Sequence, residues 1–192
     1  ASALVERVGA TGELGSLLEI RVPELIAYQD AAYAREYVDF VKKVHDAERD
    51  AVPGETRLSE AVARFLFKLM AYKDEYEVAR LHSDGEFLAG IAAQFEGDYR
   101  LRLHLAPPLW SQPDPATGEP RKRSFGPWML QAMALLARFK WLRGTAFDPF
   151  GRAQERREER RLIADYEALL VEILERLTPA NLAIAVDLAT LP

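Results

Sequence analysis

The stretch VARFLFKLMAYKDEYEVARL, residues 62–81, decides the fold class of this chain. Its apolar side chains recur at steps of three and four residues, which places them on one face of an α-helix. With one leucine upstream, the stripe consists of Leu58, Val62, Phe65, Leu69, Tyr72 and Tyr76. Ser59 is predicted to cap the helix, with Glu60 in the first turn. The pattern predicts one long helix with a continuous apolar stripe.

Similar spacing before and after this stretch predicts further helices. Aromatic and β-branched residues between positions 25 and 48 recur at helical intervals. Ser83 and Glu86 match a capping box, in which the serine and the glutamate each satisfy a free backbone N–H, so a shorter helix is predicted there.

The C-terminal half shows three more helical segments. Residues 128–142 are apolar on nearly every face, which predicts a helix at the centre of the bundle, begun by Pro127. Residues 152–177 begin with charged side chains and then become amphipathic, and Thr178 precedes a last short helix.

One segment has the period of a β-strand. Apolar and basic residues alternate over positions 99–105, and five prolines between 107 and 120 exclude a helix or a central strand there. Residues 121–125 are predicted to return as the partner strand. We therefore expect a mainly α fold, a bundle of about six helices with one small antiparallel β-hairpin inserted near 98–125.

The first 24 residues are expected to be a flexible segment or linker, followed by a helical domain over 25–192. The segment contains GATGELG, residues 9–15, whose GxxGxxG spacing follows a charged stretch. A dinucleotide-binding turn needs GxGxxG after an apolar strand, so a flexible terminus is the preferred interpretation.

Composition excludes several classes of protein. The formal net charge of −5 opposes general binding to nucleic acid, which requires a basic surface. The chain has no cysteine, so it can form no disulfide, zinc-thiolate site or iron–sulfur cluster of its own. Its longest apolar run is too short and too polar to span a membrane, and a cytoplasmic location is expected. None of the three histidines lies in a helical metal-binding pattern.

The charged end of the opening stretch is the first candidate functional surface. Lys73 and Glu77 are four residues apart, and Glu77 and Arg80 are three residues apart, so helical spacing predicts two ion pairs. Such pairs are typical of a solvated or interface surface. A general acid/base site is the alternative and would need a carboxylate in a cleft. The candidate residues are Lys73, Asp74, Glu75, Glu77 and Arg80.

Two basic surfaces are further candidates. The hairpin carries five cations that could bind a phosphate-bearing ligand or an acidic protein, or could simply keep a strand edge soluble. They are Arg100, Arg102, Arg121, Lys122 and Arg123. The helix after 151 carries two rows of arginines four residues apart, read as a solvated face relieved by glutamates or as a docking surface. The rows are Arg152, Arg156 and Arg160, and Arg157 and Arg161.

Four strings resemble the C-terminal region of the large single-chain indolepyruvate ferredoxin oxidoreductases. They are VARFLFKLMAYKDEYEVARL (62–81), FEGDYRLRLHLAPPL (95–109), DPATGEPRKRSFGPWM (114–129) and RGTAFDPFG (143–151). The resemblance runs in order from Leu25 to the end of the chain.

The resemblance implies a parent enzyme that oxidises aryl 2-oxoacids with thiamine diphosphate and iron–sulfur clusters and passes electrons to ferredoxin. The chain has neither cluster cysteines nor a thiamine motif, so the family's catalytic residues have no counterpart here. The expected role is a non-catalytic C-terminal domain that packs on the catalytic modules of a homo-oligomeric enzyme and helps dock ferredoxin or CoA.

Two alternatives remain open. One is a stand-alone helical interaction module that uses the KDEYE segment or the arginine rows as its binding face. The other is a small-molecule enzyme that uses Asp74, Glu75 or Glu77, which a buried cleft around these residues would favour.

Overall fold

The structure is a computed structural model, and it describes residues 1–97, 100–106 and 121–192. In these ranges the chain is mainly helical with one two-stranded antiparallel sheet, so the predicted fold class is confirmed. The elements in chain order are α1 (Ser2–Glu6), α2 (Gly12–Tyr28), α3 (Ala31–Ala51), α4 (Arg57–Met70), α5 (Glu75–Ser83), α6 (Gly85–Gln94), β1 (Leu103–Leu105), β2 (Arg123–Phe125), α7 (Trp128–Ala137), α8 (Gln154–Glu175) and α9 (Leu182–Ala189). A single 3-10 turn, Lys140–Leu142, follows α7.

The chain divides into two units, each with its own core. The first unit comprises Ala1–Lys73 and Trp141–Pro192, and the second comprises Asp74–Lys140. In the first unit α2, α3 and α4 pack on one another, and α4 also packs against α8 and α9. In the second unit α5 packs along α7 and adjoins α6. This division was not expected from the sequence, which predicted one domain with a hairpin insert.

The N-terminal segment is not a flexible linker, contrary to the expectation for residues 1–24. Helix α2 places Leu14, Leu18, Val22 and Leu25 in the core, each with no exposed surface. These positions step by four, four and three, which is the period of a helix face. The glycine-rich stretch hid this stripe, because Gly12 begins α2 and Gly15 lies buried inside it.

The helix predicted over residues 25–48 is two helices. Asp30 separates α2 from α3 and caps α3, because its Oδ1 accepts hydrogen bonds from the backbone N–H groups of Ala32 and Tyr33, each 2.9 Å long. An aspartate in extended conformation satisfies N–H groups that have no helical partner. The local cap therefore outweighs the continuity of the apolar pattern.

The long helix predicted from Leu58 to Tyr76 is also interrupted. Helix α4 ends at Met70, and α5 begins at Glu75 with Asp74 as its N-cap. Asp74 Oδ1 accepts a hydrogen bond of 2.8 Å from the backbone N–H of Glu77. The break coincides with the boundary between the two units.

The start of α4 is capped from another helix, and the prediction that Ser59 is its N-cap is wrong. The N-cap position is Thr56, which makes no side-chain cap. The buried carboxylate of Glu48, near the end of α3, instead accepts hydrogen bonds from the backbone N–H groups of Leu58 and Ser59, both 2.8 Å, and from the Ser59 hydroxyl. One side chain thus joins two helices and neutralises the positive end of α4.

Buried tyrosines join further pairs of helices in the first unit. Tyr37 Oη donates to the Ala63 carbonyl at 2.8 Å, which links α3 to α4. Tyr166 Oη donates to the Ala189 carbonyl at 2.7 Å, which links α8 to α9. Burial raises the pKa of both phenols well above their ordinary value.

The second unit has a small core. Buried side chains come from α5, β1 and α7, and they are Ala79, Leu103, Met129 and Met133. The hairpin prediction is confirmed, since β1 pairs antiparallel with β2 and Leu103 lies opposite Phe125.

Two local predictions fail in the second unit. Asp84, rather than Ser83, caps α6, and the Ser83 hydroxyl donates to the Ala79 carbonyl at the end of α5. Helix α7 is not the buried centre of a bundle: it ends at Ala137, and only Met129 and Met133 are buried.

Candidate functional site

The acidic segment predicted as an interface is a helix start. Lys73 is exposed, Asp74 caps α5, and Glu77 is only 7% exposed. Acidic residues in a first turn complement the positive end of a helix, which explains this composition without invoking chemistry.

Glu77 and Arg80 form the predicted pair three residues apart. Arg80 Nε donates to Glu77 Oε2 at 2.9 Å, and Nη2 donates to Oε1 at 2.7 Å. Lys73 lies in the non-helical segment between α4 and α5, so the helical spacing that predicted its pair with Glu77 does not exist there. The Glu77 carboxylate is therefore engaged on both oxygens by a guanidinium, an arrangement that favours structure over acid/base chemistry.

The cations of the hairpin lie at the surface of the second unit. Arg123 is directly opposite Leu105 in the strand register, and Ser124 is opposite His104. The five predicted residues are exposed, and they are Arg100, Arg102, Arg121, Lys122 and Arg123. The residues between the two strands at 107–120 lie outside the described residues. The structure therefore keeps open both a binding surface and a charged strand edge.

The two predicted arginine rows over residues 152–161 separate into two groups in the structure. Arg156 packs on the first unit: its guanidinium lies 5.6 Å from the Tyr72 ring centroid and donates to Glu159 at 2.7 Å. Arg161 pairs with Asp165 at 3.3 Å and its side chain is 80% exposed. These two behave as ordinary structural and surface residues.

The other three arginines line one cavity. Arg152, Arg157 and Arg160 share a cavity of about 440 Å³ with the loop residues Gly144, Thr145, Ala146 and Gly151. The sequence predicted two separate i,i+4 rows of arginines, but the cavity combines Arg152 and Arg160 of the first row with Arg157 of the second. No sequence period indicates this grouping, because the loop that completes the cavity precedes the helix.

The loop of residues 143–151 is held by two side chains. Asp148 is 4% exposed, and its carboxylate accepts the backbone N–H groups of Gly144 at 2.9 Å and Phe150 at 3.0 Å. Arg143 Nη1 donates to the Tyr28 carbonyl at 2.7 Å, and its guanidinium lies 3.7 Å from the centroid of the Tyr28 ring. The loop is thus attached to the α2–α3 junction.

An apolar surface of the second unit is the other candidate. Helix α6 is rich in apolar residues, yet none of its residues is buried. Trp128 and Leu135 of α7 are 59% and 58% exposed, and Phe95 is 57% exposed. Exposed apolar side chains that share one face are typical of a protein interaction surface, and Trp128 and Leu135, seven residues apart, share a face of α7. Sequence analysis missed it because the apolar pattern of α7 was interpreted as burial.

Two other kinds of site are absent from the part of the chain that the structure describes. Among residues 1–97, 100–106 and 121–192, no three histidine, aspartate or glutamate side chains are grouped to hold a metal ion. Within the same part of the chain, no helix is long and apolar enough to cross a membrane.

A family model matches most of the chain. A model described as a family of unknown function, DUF6537, matches residues 14–192. The chain belongs to this family. The match begins inside α2, so it includes residues 14–24 of the segment that was predicted to be a linker. No curated protein and no solved structure matches the chain.

Proposed function

We propose that the chain is a non-catalytic helical domain of an indolepyruvate, or aryl 2-oxoacid, ferredoxin oxidoreductase and that it packs on the catalytic modules. The assignment to this parent enzyme is supported by the four sequence strings that resemble the C-terminal region of those enzymes. The observation that carries the packing role is the exposed apolar surface on α6 and α7 of the second unit.

The two faces of α7 explain why a partner is needed. Met129 and Met133, four residues apart, lie on the face that packs into the second unit. Trp128 and Leu135, seven residues apart, share a different face that is mostly exposed. Burying a large apolar side chain contributes roughly 1.5–3 kcal/mol, so half-exposed side chains retain part of this for an interface.

The packing role is tested with purified components. The wild-type chain and the variant Phe95→Gln/Leu135→Gln are mixed with the catalytic modules expressed without this region, and complex formation is measured by sedimentation velocity. We expect the variant to weaken association by about tenfold or more, because two apolar contacts are lost.

A matched control removes equally exposed apolar side chains from the first unit. Ile20→Gln/Leu162→Gln changes residues that are 66% and 52% exposed. This control should bind like the wild type. The proposal of packing fails if the wild-type chain forms no complex, or if both double variants bind as well as the wild type.

We also propose that the basic hairpin helps dock ferredoxin. Exposed cations increase association with an acidic partner, and the effect decreases as salt rises. The charge reversal Arg121→Glu/Lys122→Glu/Arg123→Glu is expected to lower the ferredoxin-dependent turnover of the intact enzyme. The turnover of this variant should also depend less on salt concentration than that of the wild type. The control reverses three exposed cations of the first unit, Arg35, Lys43 and Arg161. Equal turnover and equal salt dependence in the wild type and the hairpin variant would contradict docking at this surface.

A stand-alone interaction module is the second candidate, and the same exposed apolar surface favours it. The coding sequence distinguishes the two candidates. A reading frame that continues upstream into thiamine and ferredoxin-type modules would exclude the stand-alone module.

A further inference from the structure

We propose that the cavity lined by Arg152, Arg157 and Arg160 binds a ligand through a phosphate or diphosphate group. The cavity lies wholly in the first unit and also contacts the loop that begins at Gly144. The inference concerns this chain alone and does not depend on the parent enzyme proposed above. We call the cavity the arginine pocket, with the lining residues Gly144, Thr145, Ala146, Gly151, Arg152, Arg157 and Arg160.

Among the described residues, no carboxylate forms an ion pair with an arginine of the arginine pocket. In the described residues, Arg152, Arg157 and Arg160 form no ion pair, and no acidic side chain lines the pocket. On α8, which carries Arg157 and Arg160, the neighbouring Arg156 and Arg161 both have carboxylate partners. Three guanidinium groups thus share one concave site, and none of them is paired with a carboxylate of the described residues.

The guanidinium groups keep donors available for a ligand. Arg160 Nη2 donates to the Gly151 carbonyl at 2.7 Å, and Arg152 Nη2 donates weakly to the Ala146 carbonyl at 3.3 Å. The side chain of Arg157 makes no hydrogen bond to any described residue, and Arg157 is exposed. A guanidinium has five N–H donors, so each of the three can still form a paired contact with an oxyanion.

The loop side of the pocket is preorganised. Asp148 holds the backbone of Gly144 and Phe150, and a Cβ at Gly151 would lie only 2.5 Å from Asp148 Oδ2. The glycine therefore allows the loop to close on the aspartate. A ligand would meet a wall that needs little ordering on binding, which reduces the entropic cost.

Phosphate is the chemistry that best fits this site. Guanidinium groups match the geometry of phosphate oxygens, and a diphosphate carries several negative charges to set against three cations. A volume of about 440 Å³ accommodates a diphosphate with part of an attached group. A single carboxylate of an acidic protein would neutralise only one of the three charges.

The test is a titration of the purified chain with pyrophosphate and with ADP, in which binding is measured by isothermal titration calorimetry and by amide NMR chemical shifts. We expect saturable binding, with shifts concentrated in residues 144–160. The variant Arg157→Gln should weaken binding by about tenfold, the value of one charge-assisted contact. It should not alter thermal stability, since the Arg157 side chain has no partner among the described residues.

Arg161→Gln is the matched control, because it removes the same charge from the same helix outside the pocket. It should bind pyrophosphate within about twofold of the wild type, as expected when only distant, screened charge is lost. Equal losses in both variants would overturn the proposal in favour of diffuse electrostatic attraction. Absence of saturation at about 10 mM pyrophosphate, or tighter binding of a poly-glutamate peptide than of pyrophosphate, would overturn it too.

Discussion

Replacing Glu48 with glutamine should destabilise the first unit, because a neutral amide cannot cap α4 as the carboxylate does. The carboxylate is fully buried and accepts the N–H groups of Leu58 and Ser59 and the Ser59 hydroxyl. The amide oxygen of glutamine can accept either from the N–H of Leu58 or from the N–H and hydroxyl of Ser59. The amide NH₂ then faces the N–H group of the other residue, and it cannot accept a hydrogen bond. At least one buried donor loses its acceptor.

The magnitude follows from these contacts. A hydrogen bond to a charged group contributes about 1.5–3 kcal/mol, and the negative charge at the start of α4 adds up to about 1 kcal/mol. Rotation of the Ser59 hydroxyl recovers part of the loss. We expect Glu48→Gln to lower the free energy of unfolding by about 3 kcal/mol, which corresponds to a decrease in Tm of roughly 6–12 °C for a chain of this size.

Urea denaturation followed by circular dichroism measures this change, with the wild type and Glu19→Gln in parallel. Glu19 is an exposed glutamate of α2, so its replacement should change stability by less than about 0.5 kcal/mol. The reasoning is refuted if Glu48→Gln is as stable as Glu19→Gln. A large loss in both variants would show that net charge, rather than the cap, controls stability.

Two further predictions concern the loop and the buried tyrosines. Gly151→Ala should destabilise the chain by about 1–3 kcal/mol, because the new Cβ would lie 2.5 Å from Asp148 Oδ2. Gly90 is an exposed helical glycine, and a Cβ there would have nothing within 4 Å, so Gly90→Ala should instead stabilise the chain by up to about 1 kcal/mol. Opposite signs in thermal unfolding would support this, and equal signs would contradict it. Because burial raises the pKa of Tyr166 in the folded state, its contribution to stability is complete below the unfolded pKa of about 10 and is lost as pH rises above it. At pH near 8, Tyr166→Phe should therefore lower the free energy of unfolding by about 1 kcal/mol, measured by urea titration. Between pH near 8 and pH near 11, the free energy of unfolding should decrease less in the variant than in the wild type. An identical pH dependence in both proteins would contradict the role of this phenol.

The candidate surfaces could be predicted from sequence only in part. Charge patterns located the hairpin cations and the arginines of α8, since runs of like charge are visible in one dimension. Arg156 is paired with a carboxylate and Arg157 is not, within the part of the chain that the structure describes, and this difference was not predictable. It depends on which carboxylate and which loop each side chain reaches in the folded unit.

The sequence by itself determined that the chain is mainly helical with one hairpin. Periods of 3.6 and 2 are local properties, and the alternation up to Leu105 and the return through Phe125 specified the strand pair before any contact was known. The same periodicity showed that α4 has one apolar face.

Only the tertiary structure decided where the helices end and which apolar faces are buried. Asp30 and Asp74 divide continuous apolar patterns, because a cap satisfies backbone N–H groups that periodicity does not register. Helix α7 is apolar on several faces but has neighbours in its unit for only one of them. Burial depends on the presence of a partner surface, and in this chain the exposed side of α7 is where we expect that partner to bind.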